Sequence, residues 1–153
     1  MKNSHGNVIA IVDNNGMCHG FGRIRPCVLE DNEQGWRIGP LLADTPPLAE
    51  LLIRELAGDL DAQILLDCSN LNPYANYLLS SLGFEEISKT YRMYKGIQPP
   101  CPMNQVYGLA CLDLGWFPLK RSSPFFVILK EVCLIKIYFQ KVSKFFLQYR
   151  RWL

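Results

Sequence analysis

Between Trp36 and Leu82 two kinds of apolar pattern alternate, and that alternation restricts the chain to one class of fold. The segment ADTPPLAELLIRELAGDL (43–60) carries the clearest helical period in the sequence. Leu48, Leu52 and Leu56 share one face, with Ala49, Ile53 and Leu51 beside them, while Glu50 and Arg54 stand four apart on the wetter side. Thr45 is placed to cap this helix, Pro46 suits its first position and Gly58 ends it. AQILLDC (62–68) follows, an apolar run without alternation over Gln63 to Asp67, as expected of a central strand covered on both faces. A second helix is predicted from the cap Asn72, with Pro73 inside it, to Leu82. Ala75, Leu78, Leu79 and Leu82 form its inward stripe, and Gly83 stops it.

The flanking segments read as strands. Asn7 to Asp13 is a short β-rich run, and Asn14, Asn15 and Gly16 offer the left-handed conformations of a tight hairpin. The return strand is predicted from Met17 to Arg25, ended by Pro26, with Gly20 and Gly22 calling for a close approach or a bulge. Further strands are predicted at Trp36–Leu42, about Lys89–Lys95 and Val106–Leu114. The order β–β–β–α–β–α–β–β describes one α/β domain with a mixed sheet.

Charge divides the chain. Residues 1–115 hold eight Lys or Arg against thirteen Asp or Glu, whereas residues 116–153 hold eight Lys or Arg against Glu131 alone. We therefore read 6–115 as the domain and 116–153 as a basic, apolar tail of uncertain structure, either surface-binding or an extension foreign to the domain, such as an alternative C-terminus. Its Lys and Arg alternate with aromatic residues, a mixture that can track a phosphate backbone, but no recognised module frames it, so no sequence-specific nucleic acid is expected. Phe125 to Phe139 is broken by Lys130, Glu131 and Lys136, too short and too charged for a membrane span. The six cysteines form no CxxC pair and no His stands at a zinc-ligand spacing, so no metal is expected. Polar residues at Met1–Asn7 do not read as a secretory signal, which favours a reduced, cytoplasmic chain with mostly core cysteines.

Three segments together carry a family resemblance: GFGRIRPC (20–27), GWRIGPLLAD (35–44) and LLDCSNLNPYANYLLSSLGFEEISKTYRMYKG (65–96). With Tyr107–Gly115 as a closing strand, they resemble the C-terminal domain of tandem N-acetyltransferases of the GNAT superfamily over about residues 6–115. The resemblance implies an acetyltransferase-like mixed sheet flanked by helices, not necessarily complete, and a complete acetyltransferase domain upstream.

It also implies acetyl-CoA as cofactor. A splayed central strand would offer its backbone to the pantetheine arm at Gly39, Leu41 and Leu42, the next helix would receive the pyrophosphate, and Asn72 would follow the neighbouring strand. The chain departs from the family in two places. Where a glycine-rich phosphate loop belongs stand Leu41, Leu42, Ala43, Asp44, Thr45, Pro46 and Pro47, with no glycine, an acidic group and two missing N–H donors. A capped helix after a core strand explains the same residues. Where the family often places a Tyr that protonates the departing thiolate stands Leu79, and Tyr74 and Tyr77 fall at other helical angles.

The sequence therefore singles out no catalytic residue. Glu30, Asp31, Glu33 and His19 are the available bases, each as readily a solvent-facing or turn-capping group. Arg23, Arg25 and Arg37 form either an anion-binding patch or partners for Asp67 and Asp44, and Cys68 reads as buried rather than nucleophilic. The expected function is transfer of an acetyl group from acetyl-CoA to a small-molecule amine. The alternative is a non-catalytic structural or ligand-sensing domain detached from a catalytic N-terminal acetyltransferase domain.

Overall fold

The computed structural model describes residues 5–29, 32–92, 102–110 and 132–139. Its elements are β1 (Asn7–Val12), β2 (Cys18–Val28), β3 (Gln34–Ala43), α1 (Pro46–Ala57), β4 (Ile64–Ser69), α2 (Pro73–Ser81), β5 (Glu85–Arg92), a 3-10 turn (Met103–Gln105), β6 (Val106–Gly108) and β7 (Val132–Phe139). The sheet runs β1-β2-β3-β4-β7-β5, with β6 branching off β3. β3 and β4 are parallel, and the other paired strands are antiparallel. This is the expected mixed sheet with helices packed on it, and it does not close on itself.

The β1–β2 hairpin differs from its sequence reading in one respect. Gly16 adopts positive φ (83°), but Asn14 and Asn15 do not. The Asp13 carboxylate instead accepts from the Asn15 and Met17 amides at 2.9 and 2.8 Å, so one acidic side chain holds the turn that three left-handed residues were expected to make. Strand β2 continues through Pro26, which pairs in register with Trp36. Among the described residues the β1–β2 pairing begins at Asn7 opposite Ile24 and does not reach Pro26, so β1 does not require the N–H that proline lacks.

The glycines of β2 are explained by α1. A Cβ on Gly20 would stand 2.9 Å from the Leu42 carbonyl oxygen and 3.2 Å from Leu52 Cδ1, and one on Gly22 2.7 Å from Leu56 Cδ1. At positions 20 and 22, which face the helix, any side chain would have to displace Leu52 or Leu56. A register shift between Gly22 and Ile24 supplies the expected bulge.

Helix α1 buries Ala49, Leu52, Ile53 and Leu56, while Leu51 lies on the exposed side at 46%. Thr45 has extended geometry but makes no side-chain cap bond, and Pro46 and Pro47 remove two donors from the first turn. Gly58 ends the helix at φ 46°, its amide bonded to Arg54 O. Asn72 caps α2 as expected, and Gly83 follows it with φ 82°. Ile24, Ile38, Leu41, Leu66, Cys68, Leu78 and Leu79 join the α1 residues in one core. Each large apolar side chain sealed there contributes about 1.5–3 kcal/mol.

Two strands sit where the sequence did not put them. Strand β6 stops at Gly108 and pairs with β3, and the rest of the expected Val106–Leu114 strand beyond Ala110 lies outside the described residues. The place between β4 and β5 is filled by β7, residues 132–139, inside the basic, apolar stretch. Its alternation of Ile and Lys had not distinguished a central strand from an uncovered one. Residues 93–95 of the expected fifth strand, and most of 116–153, are likewise outside the described residues. Among the described residues no helix is long and apolar enough to cross a membrane.

Replacing Gly20 by Ala drives a methyl group against main-chain oxygen as well as Leu52. We expect a loss of about 1–3 kcal/mol, read as a lowered urea midpoint, with Gly16→Ala unsuitable as a control because of its positive φ.

Candidate functional site

The site is built on a divergence. β3 and β4 pair only over Trp36–Ile38 with Ile64–Leu66, and beyond those residues the two strands separate. In any fold this leaves a wedge whose walls are main-chain N–H and C=O groups that need partners. Gly39, Leu41 and Leu42 lie on its β3 wall and Asp67 on its β4 wall.

Here the chain supplies the partners. Gly108 pairs with Leu41, Val106 pairs with Leu42, and the Leu109 amide donates to Asp67 O at 2.7 Å. A Cβ at Gly39 would collide with the Leu109 carbonyl oxygen, so glycine there lets the segment approach. The Arg25 guanidinium donates to Ala110 O at 2.8 Å.

Asn72 serves both sides of this arrangement. Its Oδ1 accepts from the Tyr74 and Ala75 amides at 3.1 and 3.2 Å, capping α2. Its Nδ2 donates to Asn104 O at 3.2 Å and Val106 O at 2.9 Å. Fully buried, this amide has donors and acceptors all engaged, which resolves why a polar side chain sits in the core. Sequence could suggest the cap; the second function depends on where residues 104–106 fold.

Polar groups gather at the two ends of the wedge. On the sheet face away from the helices, Arg37 Nη1 lies 3.3 Å from Asp67 Oδ2, and Asp67 has no solvent exposure. The arginine therefore answers a buried carboxylate, the plainer of its two expected readings. Arg23 is solvent-facing, opposite Val8 on β1. At the β3–α1 turn, His19 bridges two carboxylates, Asp44 at 2.9 Å and Asp13 at 3.5 Å. The bond to Asp44, then that to Asp13, raises the His19 pKa above its usual value. The Met17 amide is the largest cause that lowers the Asp13 pKa, with His19 contributing.

The other candidates do not converge. Leu79 is buried in the core, and Tyr74 and Tyr77 are exposed at 58% and 80%. Tyr107 is almost wholly buried on β6, and burial raises its phenol pKa, with Tyr74 adding to the effect. The sequence marks Tyr107 only as the start of a closing strand, and a tyrosine in a predicted strand gave no cue to its burial. Glu33 is exposed, and Glu30 and Asp31 lie outside the described residues. Among the described cysteines Cys68 is buried, with its thiol 3.4 Å from Asn76 Oδ1, whereas Cys18 is exposed rather than a core residue. No group of three metal-binding side chains occurs among the described residues.

Comparison with known proteins bears on what such a wedge is for. Residues 1–108 match the family described as acetyltransferase (GNAT) domain. The chain is also similar to the holothin acyltransferase of Pseudoalteromonas sp. (strain SANK 73390), at 29% identity over 105 residues. That alignment covers 63% of this chain and 36% of the relative, so the chain spans little more than a third of that protein's length. No solved structure matches the chain.

Two outcomes are expected from these contacts. Asn72→Ala loses a helix cap and leaves carbonyl groups without their donor, lowering stability by about 2–3 kcal/mol in urea unfolding. In an NMR pH titration, the His19 ring should show a midpoint above 6.5, and Asp44→Asn should lower it. Because the folded pKa is the raised one, the ion-pair contribution is present below the unfolded value. It is lost as pH rises through the folded value.

Proposed function

Because the chain belongs to the GNAT family of acetyltransferases, we propose that its domain transfers an acetyl group from acetyl-CoA to the amine of a small molecule. The observation that carries this reading is the separation of β3 from β4 in a chain of that family, because strands that part leave main-chain amide groups along the gap, here paired with β6 and Leu109. The acyltransferase named among the relatives supports acyl transfer as the reaction class.

In this proposal Gly39, Leu41, Leu42 and Asn72 are the residues around which an acyl-pantetheine arm would lie. No side chain is assigned as general acid, Leu79 being unable to donate a proton. We take residues 6–115 as the domain, with strand 132–139 added to its sheet. In the same proposal the domain is the C-terminal half of a tandem cytoplasmic acetyltransferase and follows an upstream acetyltransferase domain. The sheet face opposite the helices supports such a partner: Val8 and Phe21 on it are exposed at 62% and 37%.

The described arrangement does not itself accommodate the cofactor. β6 and Leu109 occupy the amide groups of the wedge. At the α1 N-terminus Pro46 and Pro47 lack N–H groups, the Asp44 amide is bonded to His19 O, and the Asp44 carboxylate opposes a pyrophosphate.

Thermal unfolding of the full chain with increasing acetyl-CoA tests the proposal. Saturable stabilisation is expected at millimolar ligand, followed by coenzyme A release on addition of an amine acceptor. A melting temperature indifferent to acetyl-CoA would sink it and leave the non-catalytic reading.

A further inference from the structure

We propose that β1 is the contact through which two copies of this chain associate, their β1 strands pairing antiparallel about a two-fold axis at Ala10 so that the two sheets become one. This association is independent of acyl transfer and of the wedge.

The two ends of the sheet are built differently. Among the described residues the strand order runs from β1 to β5, so each of these has a strand neighbour on one side alone. A free edge carries main-chain groups ready to pair with another chain, and edges are ordinarily guarded by charged side chains, prolines or bulges. β5 has two such guards. Glu85, Glu86 and Lys89 are exposed along it, and its register shift against β7 leaves Ile87 as an extra residue.

β1 has neither guard. Its six residues, NVIAIV, include no charge and no proline. The irregularity near its end lies on β2, which passes over His19 between Gly20 and Cys18, so β1 itself runs without an extra residue. Its side chains on the open face are apolar. Val8 and Val12 are exposed at 62% and 54% with Ala10 exposed between them, while Ile9 and Ile11 pack against the core on the other face.

The sequence of β1 favours a second copy as the occupant of this edge. Val8-Ile9-Ala10-Ile11-Val12 reads the same in both directions. Antiparallel pairing about Ala10 sets Val8 of one copy against Val12 of the other, Ile9 against Ile11 and Ala10 against Ala10. The valines then meet on the open face and the isoleucines on the helix face, with no side chain changing sides. Neighbouring registers lose the match. An axis at Ile11 sets Asp13 against Ile9, and an axis at Ile9 sets Val12 against Gly6. Charge agrees with the Ala10 register, because the nearest acid, Asp13, stands opposite neutral Asn7 and no like charges face one another. The contact is the same patch on both copies and closes at two, since each then has its β1 edge covered.

A single shared strand is a small interface, so the dimer is expected to form at concentrations of about 0.1 mM. Sedimentation equilibrium of the full chain under reducing conditions, from about 10 μM to about 1 mM, should show monomer and dimer in exchange. Ala10→Lys sets two cations against each other at the axis and should weaken the dimer at least about ten-fold. Val28→Lys adds the same charge at a position exposed at 69% and beyond the β1 pairing, and should leave the dimer unchanged. Cys18 is exposed, so cross-linking is read in a Cys18→Ser background under mild oxidation. There Ala10→Cys should join two copies through residue 10, about 4.5–5.5 Å from its counterpart. Val8→Cys should not link to itself, because it faces Val12 of the second copy.

A chain that stays monomeric up to about 1 mM overturns the proposal. So does a dimer that Ala10→Lys leaves intact, or one in which Val8→Cys links to itself as readily as Ala10→Cys. Should Ala10→Lys fail to fold, the two cysteine variants decide the question alone.

Discussion

Two parallel strands that part after three paired residues leave main-chain groups that water cannot reach once helices cover the sheet, and the structure is arranged around supplying them with partners. Ile38 and Leu66 are the last residues at which β3 serves β4 directly. Beyond them β6 serves β3, and Leu109 serves β4. Glycine at 39 and 108 follows from the same requirement, since both positions lie against the inserted strand or its neighbours with no space for a side chain. The burial of Asn72 follows too: its amide is the point where the α2 cap and the inserted segment meet.

Among the described residues the buried polar side chains are Asp67, Ser69 and Asn72. Asn72 makes four contacts at or below 3.2 Å with main-chain groups. Asp67 is approached by Arg37 across the parallel pair. Both residues would be costly where they stand without such neighbours, and both lie at the mouth of the wedge. Stability and the candidate site are consequently built from the same atoms. A change that opens the wedge also withdraws partners from the core, which gives the domain reason to hold a segment of its own there.

The electrostatics of the α1 end point the same way. A helix N-terminus following a strand is a natural seat for an anion, but this one begins with two prolines beside an aspartate already paired with His19. His19 brings positive charge to the turn, and two carboxylates take it up. What remains is a closed local arrangement, latched to the inserted strand through Gln105.

Local pattern determined a good deal. The α1 period, the central character of β4, the Asn72 cap and the glycine stops were all legible because each depends on residues within one or two turns of chain. So was the family, carried by IRPC, IGPLLAD and the Gly-Phe step in order. Only the tertiary structure decided where the late strands go. Val106–Gly108 has the composition of an ordinary strand, yet it enters the wedge; Val132–Phe139, read as part of a basic tail, takes a place between β4 and β5. Composition records that a strand seeks a partner, but not which one. For β6 that choice depends on amides some forty or more residues away, left unpaired only where β3 and β4 diverge in the folded sheet.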